Sequence, residues 1–240
     1  MNCPSKLIGT LMFCLSAFVW SPPVLAAEYG IFKEYSIYTK DKDGFKDNVL
    51  LLFHGLKSAH PNGTFRRLEK HFSDTYSVVG FNYDYFDVAS NKRELAQLWE
   101  KYLKGHKITV LGTSLGGFWA NYFAGEYDIP KMVLVNPVTK PVTDLIQFIG
   151  PQYSENRQKY FTVTAEDVAG YATVHVKTSP ATRSMVFLME DDPIIDYRHA
   201  YQLFKNNKNS EVLLFRKGGH SIPLSDPRYL SVLKVFMETE

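Results

Sequence analysis

Apolar residues in this chain gather in short unbroken runs separated by stretches with helical spacing. Six runs stand out, at 49–53, 77–81, 108–111, 132–135, 185–189 and 212–215. They are continuous rather than alternating, the mark of strands covered on both faces. Between them, apolar positions recur at helical intervals. Phe65, Leu68 and Phe72 are one set, with Thr64 as the expected N-cap; Leu95, Leu98 and Tyr102 are another, with Asn91 and Glu94 as a capping box. Asp226-Pro227 reads as an N-cap and first helical residue before Leu230, Leu233 and Met237. Strands alternating with helices predict an α/β fold, a doubly wound, mostly parallel sheet with helices on both faces. Residues 29–38 predict an added N-terminal strand. Residues 139–182 interrupt the alternation and predict a small cap insertion.

The run at 108–111 is followed at once by Gly112-Thr113-Ser114-Leu115-Gly116-Gly117. Such a segment ends a strand, reverses the chain in a tight turn and opens a helix, with the serine at its apex. Gly116, Ala120 and Ala124 give that helix a smooth row that can lie close against a sheet. Phe118, Trp119, Tyr122 and Phe123 make its other faces apolar, so the helix is expected to be buried, with Gly125 as its stop.

A hydroxyl becomes a useful nucleophile when a base takes its proton and a third group orients that base. Both partners are available at strand ends. The run at 185–189 leads into Glu190-Asp191-Asp192-Pro193, and the last run leads into Gly218-Gly219-His220. Of the seven histidines, His220 has this context. His60, His71, His106, His175 and His199 are expected on solvated surface. An oxyanion needs two N–H donors. Leu115 supplies one; the backbone of Leu56, after His54-Gly55 at the end of the first run, is the expected second. His54 itself is expected to orient that loop.

Composition narrows the picture. The 240 residues are 45% hydrophobic with a formal charge of +2, enough for one sizeable core and without a basic stripe for nucleic acid. The N-terminus differs from the rest. Lys6 precedes an uncharged stretch to Trp20, then Ser21-Pro22-Pro23 and the small residues of Val24-Leu25-Ala26-Ala27. This predicts a signal peptide over 1–26, an exported domain over 27–240, periplasmic or secreted, and no stable membrane anchor after cleavage. Cys3 and Cys14 both fall in that leader, so cysteine chemistry is excluded from the mature chain. No metal-ligand motif or dinucleotide loop is present, so neither a metal nor a cofactor is expected.

These pieces resemble an α/β-hydrolase, and more narrowly the small YqiA-type esterases. The resemblance rests on His54-Gly55, the segment from Gly112 to Phe118, Val135-Asn136-Pro137, Asp192 to Arg198, and Gly218-Gly219-His220, in the family's order. It implies a Ser114, Asp192, His220 triad, with Asp196 as the N-cap of the next helix. Asp191 stands where the family has glycine, which keeps it as the neighbouring candidate for the acid. The resemblance further implies a serine esterase acting on a small-molecule ester. The family has also been linked to acyl-CoA thioesters, which an exported enzyme would not meet. A serine peptidase or acyltransferase on the same triad, and a non-catalytic binding protein on the same fold, are the alternatives.

Overall fold

The structure, a computed structural model, describes residues 37–239 apart from 42 and 178. The expected signal peptide, both cysteines and residues 29–36 of the expected first strand lie outside the described residues. In chain order the strands are β1 (Ile37–Tyr38), β2 (Asn48–Phe53), β3 (Ser77–Phe81), β4 (Lys107–Thr113), β5 (Lys131–Val135), β6 (Gly150–Ser154), β7 (Lys159–Val163), β8 (Arg183–Met189) and β9 (Ser210–Phe215). The helices are α1 (Gly63–Phe72), α2 (Val88–Leu98), α3 (Leu115–Glu126), α4 (Pro141–Leu145), α5 (Ala165–Gly170), α6 (Tyr197–Phe204) and α7 (Pro227–Glu238).

Seven strands make one sheet in the order β1-β3-β2-β4-β5-β8-β9, parallel except for β1, which runs antiparallel to β3. Alternate residues of β2 face opposite layers. Val49, Leu51 and Phe53 join one core, with Leu95 and Leu98 of α2, Phe123 of α3 and Phe204 of α6. Leu50 and Leu52 join the other, with Phe65 and Leu68 of α1 and Leu233 and Phe236 of α7. Burying each such side chain fully is worth roughly 1.5–3 kcal/mol, so the continuous apolar runs are what a two-sided sheet requires. The expectation of two-sided cover fails at β9. It is an edge strand, only partly buried, and its Leu214 is 41% exposed.

Helix α3 is buried from Leu115 through Ala124. A Cβ at Gly116 would fall on the carbonyl of Phe53, so glycine is what lets α3 touch β2. Gly125 is not a stop. The helix continues to Glu126, and Gly125 instead makes room for the carbonyl of Lys177. Two expected caps also move. Asn62, not Thr64, caps α1 by accepting from Phe65 N at 2.9 Å. Asp87 caps α2 by accepting from Ser90 N, and Asn91 is buried within the helix, bonded to both backbone groups of Asp84. Asp226 and Asp196 cap α7 and α6 as their sequences suggest.

Residues 139–182 form the cap: α4, the β6–β7 hairpin and α5, which starts in a capping box between Thr164 and Asp167. Ser154 Oγ, at the end of β6, donates to the carbonyl of Lys57 at 2.8 Å. Arg157 Nη2 donates to the carbonyl of Tyr83 at 2.7 Å. The cap is thereby fastened to the loops that follow β2 and β3. Among the described residues no helix is long and apolar enough to cross a membrane.

Candidate active site

Parallel pairing aligns the C-terminal ends of β2, β4, β5, β8 and β9. Phe53 is level with Gly112, Thr113 with Val135, Val135 with Phe187, and Met189 with Phe215. The segments leaving those ends are His54-Gly55-Leu56, Ser114, Asn136, Asp191-Asp192 and Gly218-Gly219-His220. From β2 the chain moves outward to β3, then returns to β4 on the other side, so the order reverses between β2 and β4. Doubly wound sheets bind their ligands at such a point.

Ser114 occupies it. Its φ is 55° and ψ −122°, a strained conformation for a residue with a Cβ. Three backbone bonds hold the turn: Ser114 N donates to Val135 O, and Ser114 O accepts from Gly117 N and Val138 N, all within 3.0 Å. The side chain is 7% exposed and lines a cleft of about 290 Å3 together with Gly55, Leu56 and His220. The Gly55 backbone lies close to the serine, where a Cβ would stand 3.4 Å from Ser114 Cβ in ordinary contact. Leu115 opens α3, and its N–H is one of the first-turn donors that a helix leaves without an internal partner.

His220 Nδ1 donates to Asp192 Oδ2 at 2.7 Å, with side chains 17% and 1% exposed respectively. The other oxygen of Asp192 accepts from Ile194 N and Ile195 N at 2.8 and 3.1 Å. Burial opposes ionisation of Asp192, but the hydrogen bond and charge of His220 and the two N–H groups outweigh it. The carboxyl is held below its ordinary range. Asp191 points elsewhere. Its Oδ1 accepts from Gly218 N at 3.0 Å and Gly219 N at 2.8 Å, tethering the loop that carries the histidine. The sequence leaves these neighbours as alternatives; the structure gives one the imidazole and the other the loop.

The role of Asn136 is not legible in the sequence, because it depends on contacts between separate parts of the chain. Its Nδ2 donates to the carbonyls of Gly219 and His220 at 3.1 and 2.9 Å, while its Oδ1 accepts from Met189 N at 3.0 Å. One side chain thus joins the ends of β5, β8 and β9 beneath the histidine.

His54 has the expected place. Its Nδ1 donates to Gly55 O at 2.9 Å, its carbonyl accepts from Tyr83 Oη, and its ring stacks on Tyr83 at 4.4 Å. His60 does not. It was expected in solvent but is 4% exposed, with its ring beside Gly80, where a Cβ would leave no room. Its Nε2 donates to Leu52 O at 3.1 Å. Burial lowers the pKa of His60 to about 3, and burial together with the nearby His60 lowers that of His54 well below its ordinary value. His199 is half-buried, 3.4 Å from Asp144. Among the described residues no group of three or more His, Cys, Asp or Glu side chains could hold a metal ion.

A mostly parallel sheet with helices on both faces, and a serine at the strand-to-helix turn of its switch point, defines an α/β-hydrolase fold. The chain belongs to the uncharacterised protein family UPF0227, whose pattern matches residues 49–217. Solved structures share the architecture at low identity. Est1E from Butyrivibrio proteoclasticus is 13% identical over 84% of this chain and 93% of its own, with a TM-score of 0.61. The Pyrococcus furiosus esterase Pf2001 is 16% identical over 84% and 86%, with a TM-score of 0.59. Mouse alpha/beta hydrolase domain-containing protein 10 is 12% identical over 84% and 92%, with a TM-score of 0.61. Est1E has also been solved with ferulic acid bound.

Proposed function

We propose that this chain is an exported serine hydrolase that cleaves small carboxylic esters through an acyl-enzyme. The observation that carries the reading is the partly buried Asp192–His220 pair, whose imidazole lines the same cleft as Ser114 on its strained turn. Ser114 Oγ attacks the ester carbonyl while His220 Nε2 takes its proton. The N–H groups of Leu56 and Leu115 receive the resulting oxyanion. Collapse of this intermediate breaks the bond to the alcohol, which leaves with the proton from His220. Water then attacks the acyl-enzyme with His220 again as base, releasing the acid and restoring the serine. Asp192 remains ionised throughout, holding the Nδ1–H tautomer and stabilising the imidazolium.

A cleft of about 290 Å3 suits small or medium acyl groups better than long lipid chains. The esterase name of Pf2001 supports the reaction class, and the ferulic acid bound to Est1E supports a small carboxylic acid as product. The leader-like composition of residues 1–26 supports export, with 27–240 as one catalytic domain. Short-chain 4-nitrophenyl esters test the chemistry. Ser114→Ala is expected to fold normally and lose about 10⁴-fold or more in kcat; retention of a tenth of wild-type activity would overturn the assignment. Intact-mass measurement from the native host tests export. A mature start at Ala27, or at Glu28, is expected, whereas a cytoplasmic species retaining Met1 would overturn it and restore acyl-CoA thioesters as candidates.

A further inference from the structure

The cleft beside Ser114 is also lined by Ser58, His60, Asn62, Thr64 and Arg67, to which ester hydrolysis as described gives no task. Among the described residues seven buried side-chain atoms lack a hydrogen-bond partner, and on the residues that line this cleft one of them is an N–H donor, Arg67 Nε. Buried donors ordinarily have partners, so Arg67 Nε calls for a ligand that brings an acceptor, whereas the bare ring nitrogens His60 Nδ1 and His54 Nε2 are themselves acceptors. Arg67 is the one permanent charge among the lining residues. Its guanidinium lies along the first turn of α1, where a Cβ at Gly63 would stand 3.0 Å from Nη1. No ion pair engages Arg67 among the described residues, and no Asp or Glu lines the cleft.

The surroundings add to this bias. The first turn of α1 holds no acidic residue, and its first internal bond is Arg66 N to Asn62 O, so the N–H groups of Gly63 and Thr64 precede it. Burial keeps both histidines neutral, so neither adds its own charge to that of Arg67. A partly buried arginine donor without an acceptor is costly unless a ligand supplies one. Arginine also presents a planar fork suited to carboxylate and phosphate oxygens.

We propose that Arg67 anchors the substrate, and that the esters taken by this site carry an anionic group, carboxylate or phosphate, which docks on Arg67 while the scissile carbonyl sits at Ser114. The inference rests on the reading of Ser114 as nucleophile. Both ester chemistries reach the same anchor, with the charge on either the acyl or the alcohol side.

Two matched pairs of esters test it. Mono-4-nitrophenyl glutarate against 4-nitrophenyl butyrate places the carboxylate on the acyl side; 4-acetoxybenzoate against 4-acetoxybenzamide places it on the alcohol. In wild type at least one anionic ester is expected to exceed its neutral partner in kcat/KM by about tenfold or more, an advantage that shrinks at high salt. Arg67→Gln is expected to lower kcat/KM for that ester about 10- to 100-fold more than for its partner, mainly through KM. Arg67→Lys, which keeps the charge, retains part of the discrimination. Equal rates within both wild-type pairs, or equal losses on both members in Arg67→Gln, would overturn the anchor. Absence of turnover for every ester would instead overturn the reading of Ser114, and the anchor with it.

Discussion

Replacing Asp192 with asparagine keeps nearly the same shape and removes one charge from beneath His220. The carboxylate is 1% exposed and accepts from Nδ1 at 2.7 Å, so water cannot substitute for what is lost. An amide nitrogen facing Nδ1 favours the wrong tautomer, and an amide oxygen facing it leaves the imidazolium without a counter-charge. The same change in a reference serine protease costs about 10⁴ in kcat, equivalent to roughly 5.5 kcal/mol at 1.36 kcal/mol per decade. Asp191→Asn provides the matched control. Its oxygen accepts from Gly218 N and Gly219 N at the surface, and an amide oxygen can keep both bonds. Losing charge assistance from exposed bonds costs under about 1.4 kcal/mol, hence less than tenfold. Asn136, which binds the carbonyls of Gly219 and His220, remains to hold the loop. The assay is kcat at saturating short-chain 4-nitrophenyl ester, with circular dichroism confirming that both variants fold. Asp192→Asn retaining more than a tenth of activity, or Asp191→Asn losing a thousandfold, would refute the division of labour between these neighbours.

A histidine base must be neutral, so kcat/KM is expected to fall as pH drops through the ordinary imidazole range, roughly 6–7; Asp192, held below its usual range, stays ionised there. A flat profile from pH 5 to 8 would be incompatible. His60, with its pKa lowered to about 3 in the fold, takes up a proton on unfolding at pH values between that and about 6.5. Its contribution is therefore fully present above about 6.5 and declines as pH falls toward 3. His60→Asn should flatten the dependence of urea-unfolding free energy on pH by about 1.4 kcal/mol per unit in that window, and an unchanged slope would contradict this. At Gly116 an added Cβ meets the backbone of β2, whereas at Gly170 the nearest atom is 3.9 Å away. Gly116→Ala is expected to destabilise by about 3 kcal/mol and Gly170→Ala to be neutral or slightly stabilising. Melting temperatures that do not separate the two would count against the packing described.

The central strands were legible because a sheet covered on both sides demands unbroken apolar runs, and β2, β3, β4, β5 and β8 have them. Strand β9 has a similar run yet lies at the edge, since hydrophobicity along a strand does not report how many neighbours it has. Ser114, Asp192 and His220 were legible as candidates because each follows a strand end, and parallel pairing places those ends in one row. Asn136 was not, because its partners lie about 50 and 80 residues away in the chain, at the end of β8 and in the loop after β9. Nor was His60, a loop residue whose burial depends on the space left by Gly80 on β3. Arg67 reads as the polar side of an amphipathic helix, and it faces the cleft because α1 begins beside the loop that follows β2. The cap hairpin was obscure for another reason. One face is open to solvent, where Tyr160 is 77% exposed, so its strands carry no continuous apolar signal.

Covalent labelling at the elbow tests the central claim most directly. Wild-type protein treated with a fluorophosphonate should gain the mass of one label, and peptide mapping should place it on Ser114. Ser114→Ala should gain none, and Asp192→Asn should react far more slowly, because the serine is activated through His220. A wild-type protein that remains unlabelled at saturating probe, or carries the label elsewhere with Ser114 free, would contradict the acyl-enzyme mechanism.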